Sequence, residues 1–209
     1  MPMQPSLTAP SAQPRSRLFA TGDAGQSLGS ANMQAGGRAL DSNALLRGCK
    51  PRMAVFSESF WPPALVEYAQ AAIKNIVIAD ALFTELSGLE SPAPFGFVMD
   101  MPQDVVLQPL AATVILDRVQ DAGNVGSILR SAGAFGFRQV IALRGTAALW
   151  SPKVLRAGMG AHFGLSLLEG VELPSLDALK MPVVVTSSHQ GELIQNLHLP
   201  QPCAWAMGH

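Results

Sequence analysis

The amino-acid sequence predicts an α/β protein with a mostly parallel sheet, preceded by a smaller α/β unit. Apolar, β-rich runs alternate with helical segments through the second half of the chain, which is typical of a parallel sheet covered on both faces. Hydrophobic residues make up 48% of the 209 residues, enough for a sizeable core. No apolar run approaches the ~20 residues of a membrane-spanning helix, so we assign these residues to that core.

The first 47 residues differ in composition from the rest. They are rich in Pro, Ser, Ala, Gly and Gln and have no sustained apolar period, which predicts a mostly disordered leader over 1–47. Its first acidic residue, Asp23, comes only after Arg15 and Arg17. This lack of early acidic residues faintly resembles an organelle transit peptide. No amphipathic Arg-rich helix and no secretory segment are recognisable. The two cysteines, Cys49 and Cys203, fit a reducing cytosol, so we expect a cytoplasmic protein.

Cysteine, histidine and charge usage narrow the function classes. Two cysteines, Cys49 and Cys203, make no disulfide framework, and the four histidines lack ligand spacing, so no metal site is expected. The net charge of -1 gives no argument for nucleic acid. Between 113 and 156, however, two acids stand beside six cations: Arg118, Arg130, Arg138, Arg144, Lys153 and Arg156. A local phosphate-binding surface and an ordinary solvated face are both open interpretations.

The smaller unit is predicted over 53–102. "MAVF" indicates a strand, "PPALVEYAQAAIK" a helix with proline near its first turn, and "NIVIA" a second strand. Asp80 is placed as the cap of the helix "ALFTELSG". "SPAPFG" is predicted as a turn, "FVMDMP" as a short strand and "QDVVLQPLA" as a linker.

The larger unit is predicted over 111–209, beginning with the strand "TVILD". A helix after Asn124, the strand "QVIAL" and the helix "SPKVLRAG" follow, the last with Ser151 as N-cap and Pro152 at its first position. Further strands are predicted at "FGLSLLE", "PVVVTSS" and "CAWAM".

The stretch "ILDRVQDAGNVGSILRSAGAFGF" (115–137) predicts a polar site at a strand end. On a helix of ~3.6 residues per turn, Arg130 lies opposite one apolar stripe that packs on the sheet, Val125, Ile128, Leu129, Ala132 and Phe135. Gly123 and Asn124 lie at the helix start, where free N–H groups attract anions, and Gly123 and Gly126 permit close approach of another backbone or a phosphodiester. In the alternative interpretation Asn124 is an N-cap and Arg130 a solvated surface residue.

Two other segments invite a ligand interpretation. "GMGAHFG" (158–164) resembles a dinucleotide fingerprint, but Phe163 occupies the third-glycine position and a helix precedes it, so close packing near Gly158 and Gly160 is the favoured use. "TSSHQ" (186–190) is either a ligand rim or a plain turn at a sheet end.

"LDRVQDAGNVGSILRSAGAFGFRQVIAL", followed by "SPKVLRAGMGAHF", resembles the SpoU (TrmH) family of RNA 2'-O-ribose methyltransferases. Asn124, Gly126, Arg130 and Gly136 occupy key places of that family's first motif, and "CAWAMGH" resembles the opening of its second. The resemblance covers Ala111 to His209. A weaker one relates 53–101 to the family's small substrate-binding domain.

The resemblance implies a trefoil-knot (SPOUT) fold and methyl transfer from S-adenosylmethionine to a ribose 2'-hydroxyl of tRNA or rRNA, without a metal. It implies catalytic roles for Arg130, which orients a phosphate and stabilises the alkoxide, and for Asn124, which holds Arg130 or the ribose. The cofactor is expected at Thr186, Ser187 and Gly208, and RNA at Arg118, Lys153 and Arg156. A homodimer without membrane attachment is expected for full-length family members.

Family members continue into a third motif that closes the knot and completes the cofactor pocket. The sequence is therefore expected to be a truncated member that binds S-adenosylmethionine poorly, methylates no RNA and dimerises weakly. Two other classes stay open: a non-catalytic RNA-binding protein of the same fold, and an oxidoreductase or other nucleotide-binding α/β enzyme, against which the failed glycine fingerprint argues.

Overall fold

The structure is a computed structural model that describes residues 17–23, 48, 50–61, 66–87, 92–100, 102, 104–187, 189 and 191–208. The smaller sheet contains four strands, β1 (Arg17–Asp23), β2 (Met53–Ser57), β3 (Lys74–Ile78) and β4 (Pro92–Asp100), with helices α1 (Val66–Ala71) and α2 (Asp80–Ser87). The larger sheet contains five, β5 (Thr113–Asp117), β6 (Gln139–Leu143), β7 (Ser166–Val171), β8 (Val183–Val185) and β9 (Ala204–Gly208), with α3 (Ala122–Ala134) and α4 (Pro152–Gly158). Short 3-10 turns span Glu58–Phe60, Ala161–Gly164, Leu173–Ala178 and Ile194–Asn196.

The smaller sheet has the strand order β1-β4-β2-β3 and an aromatic core. β2 runs parallel to β3, and β4 runs antiparallel to both β1 and β2. Phe56, Phe95 and Phe97 are fully buried, and the Tyr68 ring lies 4.4 Å from that of Phe95. Phe163, from the larger unit, packs against the same cluster.

Two predictions in this region are wrong, and a third fails over seven residues. Residues 17–23 of the leader predicted to be mostly disordered form β1, whose hydrogen-bond partner β4 is far away in sequence, so that no local pattern reports it. The other residues of 1–47 lie outside the described residues. "PAPFG" is part of β4 and not a turn. Its prolines are tolerated because Pro92 is the first residue of the strand and Pro94 lies where the pairing with β1 is irregular, between the Gly96 and Pro92 pairs. The predicted first helix does not reach Lys74, where β3 begins.

Asp80 joins α2 to the end of β2. The sequence predicted Asp80 as the cap before the helix, but the helix begins at Asp80 itself. Its carboxylate accepts hydrogen bonds from the Ser57 hydroxyl and from the Ser59 N–H, the latter at 3.1 Å. The Ser57 bond first, and then the Ser59 bond, hold the pKa of the Asp80 carboxyl below its ordinary value.

The larger sheet confirms the prediction of a parallel sheet. Its strand order is β7-β6-β5-β9-β8, and every neighbouring pair is parallel, so that β9, the last strand, lies between β5 and β8. One face packs on α3 and α4 through buried residues such as Val114, Leu129 and Val154. The other face is covered by the predicted linker and the Leu173–Ala178 3-10 turn, through residues such as Leu107, Leu176 and Leu179.

The predicted strands of this sheet differ in accuracy. β5 and β6 have the predicted bounds, since both are short, buried and nearly all apolar. β7 begins only at Ser166, because the Ala161–Gly164 turn precedes it, and β8 is limited to three residues. Among the described residues, no helix has the length and apolarity needed to cross a bilayer.

The predicted linker has no helix or strand in its described residues, but it is held on the larger unit. The Gln108 N–H donates to the buried Gln139 side chain at 2.8 Å, and that side chain donates to the Thr113 hydroxyl at 2.9 Å. Further along, the Lys180 N–H donates to the Pro109 carbonyl at 2.9 Å. The linker therefore packs against the amino-terminal edge of β5 and β6.

Candidate active site

The start of α3 is capped by Asp121. The Asp121 carboxylate accepts a hydrogen bond from the Asn124 N–H at 2.7 Å, and the Asp121 carbonyl accepts one from the Val125 N–H at 3.0 Å. Asn124 is therefore not the N-cap, and the helix start is not an open anion site, because a carboxylate already satisfies this end of the helix dipole. An aspartate directly before a helical pattern is the signal that could have identified this cap.

α3 presents the predicted polar face. Val125, Leu129 and Ala132 are buried against the sheet and Ile128 is half-buried, whereas Arg130 is exposed. Phe135 is the exception, 82% exposed, so its assignment to the packing stripe is wrong. It is the C-cap residue, where the backbone leaves helical geometry and the helical phase is lost.

The close approach predicted at Gly126 is made by a neighbouring helix. A Cβ at Gly126 would lie 2.3 Å from the Ala157 Cβ and 2.7 Å from the Gly158 N, both on α4. At Gly123 the nearest atom would be the Asp121 carboxylate at 3.1 Å, so no second backbone approaches there. On an ideal helix Arg130 lies ~40° from Gly126, which places it beside the α3–α4 contact. Lys153, exposed, and Arg156, half-buried, lie on α4.

The end of β5 carries an unusual arginine. Arg118 adopts a left-handed backbone with φ 55°, and its guanidinium donates from Nε and Nη2 to the two carboxylate oxygens of Asp117, each at 3.0 Å. The hydrogen bond and the charge of Asp117 raise the pKa of Arg118 further. Across the edge, Gly145 lies under the Arg118 stem, since a Cβ there would lie 3.1 Å from Arg118 Cγ.

Gly208, at the end of β9, packs on Asp117 of β5. It is paired in register with Asp117, and a Cβ would lie 2.1 Å from the Asp117 carbonyl oxygen. Thr186 follows the adjacent strand β8 and donates to the Ala206 carbonyl from its N–H at 3.0 Å and its hydroxyl at 3.1 Å. Ser187 is exposed, and its hydroxyl accepts from the His189 N–H at 3.2 Å.

The loop between β6 and α4 is tied to its surroundings on several sides. Thr146 donates to the Leu116 carbonyl at 3.0 Å, and the Leu149 N–H donates to the Glu169 carboxylate at 2.5 Å. The Leu149 carbonyl lies 2.8 Å from His162 Nε2. At the end of the loop, the Ser151 hydroxyl caps α4 as predicted, accepting from the Val154 N–H. These contacts set the position of α4.

His162 is buried within this assembly. Its Nδ1 has no hydrogen-bond partner in the described structure, and burial lowers its pKa from 6.5 to about 4, although the bond to Leu149 opposes this. Neutral His162 is therefore the form that packs. A Cβ on Gly158 would lie 2.4 Å from the imidazole, so the close packing predicted near Gly158 is confirmed.

The predicted site residues thus fall into two groups. Arg118, Gly208, Thr186 and Ser187 lie at or just after the ends of β5, β9 and β8, at the carboxyl edge of the sheet. Asn124 lies in the first turn of α3, which begins at the same edge, and Arg130 lies six residues further along that helix. The Asn124 side chain makes no hydrogen bond to Arg130 among the described residues. Sequence reasoning missed Asp117 and Gly145 as partners of Arg118, because neither contact has a local sequence signature.

Comparisons with known proteins agree with this architecture. Residues 111–209 match the SpoU rRNA Methylase family. Human rRNA methyltransferase 3, mitochondrial, is 34% identical over 147 residues, which cover 65% of this chain and 34% of that protein. The 23S rRNA (guanosine(2553)-2'-O)-methyltransferase RlmP of Bacillus subtilis is 31% identical over 112 residues, covering 53% of this chain and 44% of the relative.

A solved structure has the same fold. The SpoU methyltransferase AviRb from Streptomyces viridochromogenes, in complex with the cofactor AdoMet, superposes with a TM-score of 0.67 at 20% identity, covering 92% of this chain and 72% of that one. The predicted fold class is thereby confirmed. The chain spans about a third of the length of the human relative. Residues 111–209 of this chain therefore form a SpoU methylase domain.

Proposed function

We propose that the protein transfers a methyl group from S-adenosylmethionine to a ribose 2'-hydroxyl of ribosomal or transfer RNA. The observation that carries the proposal is the exposed polar face of α3, which begins at the carboxyl edge of the family's parallel sheet with Asn124 in its first turn and carries Arg130 six residues further along. Ligands of open α/β sheets bind at this edge. The names of the human and Bacillus relatives support RNA methylation, and the latter supports the 2'-hydroxyl.

The ends of β8 and β9 fit S-adenosylmethionine chemically. The described residues 183–187 and 204–208 carry no charge, and Val185 is 72% exposed beside Thr186. Gly208 leaves backbone without a side chain at the end of β9. The apolar adenosyl group and the cationic sulfonium are both better suited to these uncharged strand ends than to a site that carries a lysine or an arginine. The AviRb complex supports S-adenosylmethionine, an activated methyl donor, as the cofactor. We assign Thr186, Ser187 and Gly208 to it on the chemistry of these strand ends.

Arg130 is proposed to act as a hydrogen-bond donor. A guanidinium has a pKa above ~12 and five N–H groups, so it is a poor proton acceptor and a good ligand for phosphate oxygens. Exposed on α3, it can orient a nucleotide phosphate and stabilise negative charge developing on the ribose oxygen. Asn124, exposed and not bonded to Arg130, is assigned to the ribose.

The remaining cations are assigned to the RNA backbone. Lys153 and Arg156 lie one turn apart on α4, the helix that packs against α3, and Arg118 directly follows the end of β5. Positive side chains bind phosphates with little regard to sequence and so position the RNA on the site. Residues 53–102 are proposed to bind RNA as a partial substrate-binding domain, and a homodimer is proposed for the complete protein.

Localisation stays a prediction. The cysteine usage favours a reducing compartment such as the cytoplasm, whereas the human relative is mitochondrial by name. Imaging of a fluorescent fusion that retains residues 1–47 decides between the two.

The central test compares two exposed arginines in a methyl-transfer assay with radiolabelled S-adenosylmethionine and total ribosomal RNA. Arg130→Ala should lower the rate by ~10²–10³, the usual loss for one preorganised donor. Arg138→Ala is the matched control, because Arg138 is an exposed arginine directly before β6, at the amino-terminal edge of the sheet, and has no assigned role. Binding of the cofactor, followed by calorimetry, should be nearly unchanged in both variants.

The assay is run on the 209-residue chain and on the chain extended through any coding sequence that continues beyond position 209. Near-normal turnover by Arg130→Ala would remove Arg130 from the mechanism. Binding of RNA by wild type without cofactor binding or methyl transfer in either form would favour the non-catalytic RNA-binding alternative.

A further inference from the structure

We infer that Asp117 and Arg118 form a preorganised phosphate clamp, in which Asp117 is a positioning residue that fixes the guanidinium of Arg118 for the RNA backbone. The inference rests on the proposed RNA substrate and deepens it. The assignment of Arg118 to RNA does not explain what holds its flexible side chain in place, nor does it give Asp117 a role.

The backbone of Arg118 provides the first observation. Its φ of 55° lies in the left-handed region, which side chains other than glycine adopt at a cost. Glycine would satisfy this turn without strain, so an arginine here is not explained by the turn itself. Strained residues of this kind cluster where a ligand is held.

The second observation is the contact of the Arg118 stem. Gly145 has φ 93°, and a Cβ there would lie 3.1 Å from Arg118 Cγ. The loop that carries Gly145 is fixed to β5 by the bond from the Thr146 hydroxyl to the Leu116 carbonyl. The aliphatic part of Arg118 therefore lies over a surface that is held in place and has no side chain at the point of contact.

The third observation is the use of the donors. Nε and Nη2 each give one N–H to Asp117, in the two-bond geometry that suits a carboxylate. A guanidinium has five N–H groups, so three remain for another anion. The Arg118 side chain is 58% exposed, which leaves these donors within reach of a phosphate oxygen.

The alternative is that Asp117 merely neutralises Arg118. The two interpretations predict opposite signs for one substitution. Asp117→Asn removes a negative charge next to the RNA, and bulk electrostatics then predicts tighter binding. If Asp117 positions Arg118, the same substitution loosens the guanidinium and weakens binding.

The experiment measures binding of a labelled RNA hairpin of mixed sequence by fluorescence anisotropy over a range of salt concentrations. Arg118→Gly, which keeps the left-handed backbone favourable, should weaken binding about tenfold at low salt and reduce the salt slope by about one. Asp117→Asn should weaken binding by roughly threefold. In the Arg118→Gly background it should no longer weaken binding.

Arg138→Ala serves again as the control for loss of a cation, and thermal unfolding checks that each variant folds. Unchanged affinity and salt slope in Arg118→Gly, or tighter binding in Asp117→Asn, would overturn the clamp while leaving the proposed methyl transfer intact. If wild type binds the hairpin as described but neither the 209-residue chain nor its extended form methylates RNA, the clamp stands and the proposed activity fails. Failure of wild type to bind the hairpin would overturn both.

Discussion

Substituting Gly126 tests whether contact between α3 and α4 sets the geometry of the site. A Cβ at Gly126 would lie 2.3 Å from the Ala157 Cβ and 2.7 Å from the Ala157 carbonyl carbon and the Gly158 N. Carbon atoms prefer separations of about 3.5–4.0 Å, so the helices would have to separate by more than 1 Å. Two of the opposing atoms are backbone and cannot rotate away, which puts the cost near 3 kcal/mol, the upper end for overpacking.

The matched control is the same substitution two turns later on α3. A Cβ at Gly133 would lie 4.0 Å from the Ala161 Cβ, an ordinary van der Waals contact. Replacing glycine by alanine inside a helix stabilises by about 1 kcal/mol. Allowing for the same gain at Gly126, we expect Gly126→Ala to lose about 2 kcal/mol and Gly133→Ala to gain about 1 kcal/mol.

Urea unfolding followed by circular dichroism measures both free energies of unfolding. With a slope of about 2 kcal/mol/M, the two midpoints should differ by about 1.5 M, with wild type between them. A midpoint of Gly126→Ala at or above that of wild type would show that α4 yields easily. The position of Lys153 and Arg156 relative to Arg130 would then not depend on this contact.

Two further predictions concern pH and capping. Below pH 6.5 the unfolded chain protonates His162, which the folded chain resists until about pH 4, so the free energy of unfolding should fall by about 3 kcal/mol across that window. Equilibrium unfolding at several pH values should show a shallower slope in His162→Gln but not in His189→Gln, whose side chain is exposed; equal slopes would contradict the burial argument. Asp121→Ala should cost about 1 kcal/mol through the lost cap, whereas Asn124→Ala should reduce methyl transfer without that cost. Thermal unfolding and the methyl-transfer assay distinguish the two, and a larger stability loss in Asn124→Ala would contradict the capping geometry.

Local sequence patterns correctly predicted those parts of the fold that depend only on neighbouring residues. β5 and β6 were predicted to the residue because each is a short, buried apolar run. The Ser151 cap and the proline at the start of α4 were predicted from two adjacent residues. The exposed position of Arg130 follows from helical period and needs no partner.

Predictions of other features failed because those features depend on contacts between segments that are distant in sequence. β1 exists through β4, and "PAPFG" becomes strand for the same reason, although proline and glycine locally indicate a turn. The alternative interpretation that Asn124 caps α3 is wrong, because Asp121 is the residue with the extended backbone and its carboxylate accepts from the Asn124 N–H.

By itself, the sequence determined the parallel α/β class, the polar face of α3 and the family to which residues 111–209 belong, since periodicity and motif spacing are properties of neighbouring residues. Only the tertiary structure decided that β9 lies between β5 and β8, that Gly126 is required by α4, and that Asp117, Gly145 and Gly208 surround the end of β5. Those arrangements depend on distances of a few ångströms between segments far apart in the chain, and such distances are fixed only when the whole core packs.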